Sequence, residues 1–183
     1  MNKIKPELIW VDCEMTGLDT TQHVILEVAI CVTDTQGNLV DEGIDIIVNQ
    51  SNSVFDAMGD YVTEMHEKSG LIKEVEKSRI SLVEAEAQCI EYLNRVFPDD
   101  QTLKSAPMCG NSIGVDRRFL DVSMKDLNEA MHYRSIDVST LKEIFRRVKP
   151  NEFKNRPDKK ACHRALDDVL ESIEEYKYYL KFL

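Results

Sequence analysis

Short β-type runs fill the first quarter of the chain, and helical periodicity takes over after residue 80. Residues 7–13 (ELIWVDC) form an apolar, β-branched run ending in carboxylates, and 24–34 and 39–48 repeat that composition. The link at 34–38 is a turn by its Gly and Asn, so three strands are expected, the last two as a hairpin. Residues 53–72 read as small helices and loops. Apolar positions 82, 85/86, 89/90, 93 and 96/97 follow a helical period, with Ser81 as N-cap, Glu84 completing a capping box and Pro98 as the stop. Beyond it, 106–111 predicts a brief buried strand, 115–122 and 126–132 predict helices, and 135–138 predicts a strand feeding a helix from Ser139. A final helix spans 165–180, with Leu166, Val169, Leu170, Ile173, Tyr176 and Leu180 along one face. The only long polar loop is 150–160. An opening antiparallel meander followed by alternating strands and helices predicts an α/β class with a mixed sheet.

Composition narrows this picture. A chain of 183 residues with 43% apolar content fits one domain over 1–183 with a real core. The first ten residues carry two lysines but no apolar run before a small-residue cleavage site, and no stretch has the length of a membrane span. The chain therefore reads as soluble, with no membrane partner. Its five cysteines are odd in number, widely spaced and without a C-x-x-C, which argues against a disulfide framework or a zinc site and for reduced thiols in the cytoplasm.

The net charge of −10 counts against a nucleic-acid partner until its distribution is read. From Arg134 to Arg164 ten Lys/Arg face four Asp/Glu, an excess of six positive charges. That suits a short anionic ligand held at one place rather than a long duplex.

The chemistry begins with Asp12 and Glu14. Their spacing of two puts both side chains on one face of a strand, where like charges repel. A cation relieves that repulsion, and hard oxygen ligands suit Mg²⁺ or Mn²⁺; two solvated acids at a strand end before Gly17 are the plainer alternative. Asp116 follows a Gly-containing turn at a strand end. Further on, Cys-His-Arg-Ala-Leu-Asp-Asp sets His163 just before the last helix and Asp167 and Asp168 in its first turn, where the helix dipole alone would favour acids. Together these residues form the inventory of a two-metal phosphodiester hydrolase.

The segments DCEMTGLD (12–19), GNSIGVDRRFL (110–120) and HRALDD (163–168) resemble the DEDD exonuclease superfamily, in the branch whose last motif is His-x4-Asp. With HYR-x-x-DVSTLKE (132–143), the chain is similar to the oligoribonuclease family from about residue 7 to 180. The resemblance implies a ribonuclease-H-like fold and 3′-to-5′ removal of nucleotides from RNA of two to five units. It makes Asp12, Glu14, Asp116 and Asp168 the ligands of two divalent cations, with His163 as general base. Helical spacing alone would pair His163 with Asp167, so choosing Asp168 requires the histidine to lie in the preceding loop.

The resemblance further implies a homodimer in which Tyr133 reaches the active site from the partner chain. Arg134, Ser139, Thr140 and Ser112 are candidates for holding the substrate's 5′ end, ordinary N-capping being the plainer role for the two helix-start residues. Leu18 is the candidate wedge between bases, Tyr61 the stacking ring where relatives often carry Trp, and His66 a further pocket candidate. Tyr176, Tyr178, Tyr179, Phe182 and Leu183 give the last helix more apolar surface than one core contact needs, which favours a dimer.

Overall fold

A computed structural model describes residues 4–158 and 162–183. Its centre is β1 (Leu8–Met15), flanked by β2 (Ile25–Thr33) antiparallel on one side and β4 (Pro107–Gly110) parallel on the other. β3 (Ile44–Ile47) and β5 (His132–Asp137) close a five-stranded mixed sheet of order β3-β2-β1-β4-β5. Between strands lie a 3-10 helix (Asn52–Ala57), α1 (Asp60–Ser69), α2 (Leu71–Lys77), α3 (Leu82–Val96), α4 (Asp100–Ser105), α5 (Gly114–Ser123) and α6 (Lys125–Ala130). After β5 come α7 (Val138–Val148), α8 (Pro150–Lys154) and α9 (Ala165–Leu180). This is the ribonuclease-H-like mixed sheet expected, in one domain.

The sheet is covered on both faces, and the period-2 alternation of β1 shows how. Ile9, Val11 and Cys13 point into a core built with Leu93, Phe119 and Leu120, while Leu8 and Trp10 point into a second core with Val169, Ile173 and Tyr179 of α9. Trp10 is fully buried and its indole N–H donates to Thr33 Oγ1 at 2.8 Å, so the one polar atom of the largest core residue is satisfied. Asp12 and Glu14 continue the Trp10 face, toward α9.

The capping box forms as expected: Ser81 accepts from the Glu84 N–H, and Glu84 accepts from the Ser81 N–H. The second strand of the hairpin departs from expectation. Asp34 closes the turn by accepting from the N–H groups of Gln36 and Asn38, but only an isolated Thr33–Leu39 bridge follows before β3 starts at Ile44. Gly43 at φ 82° breaks the extended run, and a Cβ there would stand 2.6 Å from Cys31 Sγ and the Ile30 carbonyl. The helix expected over 126–132 stops at Ala130, because Met131 is extended and the His132 N–H donates to the Ala106 carbonyl, which starts β5 early. α4 and α8 lie in stretches that carry no hydrophobic period. Asp99 caps the first through the Thr102 N–H, and Pro150 opens the second. Lys159 and Lys160, counted in the basic stretch and the polar loop, lie outside the described residues.

Candidate active site

Three elements converge at the C-terminal end of β1. Glu14 comes from the strand, Asp168 from the first turn of α9, and His163 from the residue preceding the α9 N-cap, Arg164. One ligand atom of each lies within 4.8 Å of the others. His163 adopts φ 51°, a left-handed conformation that few non-glycine residues occupy and that recurs where function fixes the backbone. The histidine is therefore outside the helix, the condition for pairing with Asp168 rather than Asp167. Asp167 is exposed and faces a separate 450 Å³ cavity with Glu171 and Glu174.

Asp116 enters from the first turn of α5. It is buried, and its Oδ1 accepts from the Cys13 N–H at 2.9 Å, which anchors it to β1 between Asp12 and Glu14. Asp12, half-buried, lies on the same strand face as Glu14, two residues earlier in β1 and opposite Ala29. Burial, with Asp168, Glu27 and Asp116 nearby, pushes the Glu14 carboxyl up to about 8, against a lowering by Arg164. Burial also raises Asp116, opposed by its backbone hydrogen bonds. A bound cation would oppose this rise, because it favours the charged form of each carboxylate. The donor set of carboxylate oxygens and one imidazole fits hard divalent cations.

Leu18 (69% exposed), four residues after Glu14, and Tyr61 (74% exposed) present large apolar surfaces. Tyr61 lines a 620 Å³ cleft with Met65, Lys68 and His163. His66 differs from expectation: it is wholly buried, so it offers no surface to a ligand. Its Nε2 bonds the Met15 carbonyl at 3.0 Å and its Nδ1 lies 3.9 Å from Glu14 Oε2, behind the site rather than in the cleft.

Tyr133, Arg134, Ser139, Thr140 and Ser112 do not line the cleft that His163 lines. Tyr133 is 74% exposed on the edge strand β5, stacked on His132, with the Arg134 guanidinium over its ring. Asp137, not Ser139 or Thr140, is the N-cap of α7. Its Oδ1 accepts from Ser139 N–H and Oγ and from the Ser112 N–H, tying the GNSIG loop to that helix start. The basic stretch is largely engaged within the chain: Lys142 with Glu175, Arg146 and Arg147 with Glu143, Arg164 with Glu27 and Glu74. Of the aromatic and apolar residues at the end of α9, Tyr176 and Tyr179 are in the core, Tyr178 and Phe182 are half-buried against it, and Leu183 is exposed.

Sequence reasoning missed Glu27 and Arg164, which join β2 to the start of α9. The signal was present: a glutamate in the middle of ILEVAICVT, a strand buried at every position.

Residues 9–176 match the exonuclease family. An oligoribonuclease of Rhodococcus jostii is 46% identical over 178 residues, 97% of this chain and 88% of that protein. The chain belongs to the oligoribonuclease family of exonucleases. A second oligoribonuclease, from Leifsonia xyli subsp. xyli, is 45% identical over 95% of this chain and 82% of its own length. Among solved structures, the zinc-bound E. coli exonuclease I–ssDNA complex aligns with a TM-score of 0.64 at 11% identity, over 92% of this chain and 39% of that one. Exonuclease I of Methylocaldum szegediense gives 0.61 at 16% identity over 91% and 38%. This chain thus spans about two fifths of those structures, and the likeness is one of fold. The activity is that of a metal-dependent 3′-to-5′ exoribonuclease. No helix among the described residues is long and apolar enough to cross a membrane.

Proposed function

We propose that the chain degrades RNA of about two to five nucleotides to nucleoside 5′-monophosphates at a site where Asp12, Glu14, Asp116 and Asp168 hold two divalent cations, Mg²⁺ or Mn²⁺, and His163 is the general base. The observation that carries this reading is the meeting of Glu14 with His163 and Asp168, from two segments far apart in the chain, with their ligand atoms within 4.8 Å of one another. The cations, when bound, supply positive charge to the scissile phosphate and acidify an attacking water. The four carboxylates hold that charge in place. His163 takes the proton as the water attacks in line, and the 3′ oxygen of the preceding nucleotide leaves.

Charge held at the scissile phosphate also removes the objection raised by the net charge of −10, because a short substrate needs little further basic surface. Leu18 wedges between bases and Tyr61 stacks on one; such stacking contributes about 1–3 kcal/mol per base. Tyr133 acts from the partner of a homodimer, and Arg134, Ser112, Ser139 and Thr140 bind the substrate's 5′ end. The unpaired edge of β5, with exposed Tyr133, Ile144 and Val148 nearby in sequence, supports that association. Five free thiols fit a reducing cytoplasm.

The exonuclease I structures solved with ssDNA favour a second reading, a DNA-directed exonuclease. One assay separates the two. Labelled RNA dinucleotide, pentanucleotide and twenty-mer, with the matching DNA, are incubated with Mg²⁺ or with EDTA. Fast cleavage of the RNA dinucleotide, slow attack on the twenty-mer and no turnover in EDTA are expected. Equal rates on all lengths defeat length selection, and faster DNA cleavage establishes the second reading.

A further inference from the structure

Glu27 has no exposed surface and lies on β2 directly opposite Glu14 of β1. Directly opposed residues share a sheet face, so Glu27 stands on the α9 side, next to a proposed metal ligand. A buried carboxylate beside another is costly unless something offsets its charge. Here Arg164 does so: its Nε and Nη2 donate to Glu27 Oε1 at 2.9 and 2.7 Å. The second oxygen accepts from the Ala165 N–H at 3.0 Å. Arg164 Nη2 also meets Glu74 Oε2 of α2 at 2.8 Å.

These bonds converge on the start of α9. Arg164 is the N-cap residue but its side chain makes no cap hydrogen bond, so the first helical N–H is satisfied from another strand, by Glu27. The residue before this anchor is His163 in its left-handed conformation, and Asp168 follows in the first helical turn. The anchor strand pairs with the strand that carries Asp12 and Glu14.

We infer that Glu27 and Arg164 are a positioning pair that sets the start of α9 against β1, and so holds His163 and Asp168 in register with Asp12 and Glu14. Glu27 is wholly buried and Arg164, although it borders the cleft of Tyr61 and His163, is bonded to Glu27 and Glu74, so the pair acts through these four residues. This rests on the active-site reading above. A buried ion pair is a poor stabilising device, since replacement by apolar residues of similar size is often neutral for stability. Positioning and stability can therefore be separated.

The test is the double variant Glu27→Leu/Arg164→Leu, together with the single variant Glu27→Gln, which keeps the shape and removes the charge. For both, kcat on a dinucleotide falls about 10- to 100-fold and Mn²⁺ affinity by calorimetry weakens by a similar factor, as for residues that orient metal ligands. KM stays within about threefold, and the double variant keeps its thermal midpoint. A folded variant of either kind whose kcat and Mn²⁺ affinity stay within twofold of the parent overturns the inference; if the double variant does not fold, Glu27→Gln decides. Asp12→Ala serves as the control: turnover at the parent rate overturns the active-site reading and this inference with it, whereas an inactive control beside fully active Glu27 variants overturns the inference alone.

Discussion

Glu14→Gln lowers kcat/KM on a dinucleotide by about three orders of magnitude and makes the metal-free protein harder to unfold at pH 8. The loss follows from removing a ligand charge: cation stabilisation of the transition state is worth several kcal/mol, and each factor of ten in rate is ~1.4 kcal/mol. The gain follows from the environment of the side chain. Burial and neighbouring acids raise its pKa in the folded state from 4.5 to about 8. The folded protein thus holds this proton more tightly than the unfolded chain does. Its contribution to stability is complete below pH 4.5 and is lost as pH rises toward 8. Glutamine copies the protonated form and does not titrate. In EDTA, the melting temperatures of variant and parent should coincide near pH 4.5 and separate toward pH 8, with the variant higher. Opposite signs for activity and stability mark a residue retained for chemistry; a variant that is less stable at pH 8 contradicts the account.

His163→Ala should lower kcat about 10²- to 10⁴-fold, the range for loss of a positioned general base. The role is told apart from metal ligation by a second readout. If the imidazole moves a proton, Mn²⁺ affinity measured by calorimetry stays close to the parent value, whereas Asp168→Ala loses both affinity and turnover. Near-parental kcat in His163→Ala removes the histidine from the reaction.

How far the site could be read from the sequence depended on local pattern. The Asp12-x-Glu14 spacing on an apolar strand, the capping box of Ser81 and Glu84, and the last helix, with bounds Ala165–Leu180, all follow from period and from neighbours close in the chain. β5 was legible only in its second half, expected over 135–138, because an edge strand with exposed side chains at 133–135 has no hydrophobic alternation to announce its start at His132. The stretch 39–43 resembled a strand by composition, yet one positive φ at Gly43 takes it out of the sheet. His66 illustrates a different difficulty. Its type invites a catalytic role, and only tertiary packing reveals that it is sealed behind Glu14. Tyr176 and Tyr179 counted as apolar surplus on α9, but Trp10 and Phe145 from β1 and α7 consume them. Glu27 was the reverse case, visible as a charge in an apolar strand but without meaning until its partner, 137 residues away, was in place.

The central claim is that four carboxylates hold two cations beside an imidazole. Crystals soaked with Mn²⁺ and a non-cleavable dinucleotide analogue, with diffraction collected at the manganese edge, test it most directly. Two anomalous peaks should appear, ligated by oxygens of Asp12, Glu14, Asp116 and Asp168 at about 2.0–2.2 Å, the usual range for small divalent cations on oxygen. Manganese in the outer cavity of Asp167, Glu171 and Glu174, with none between β1 and α9, would contradict the account.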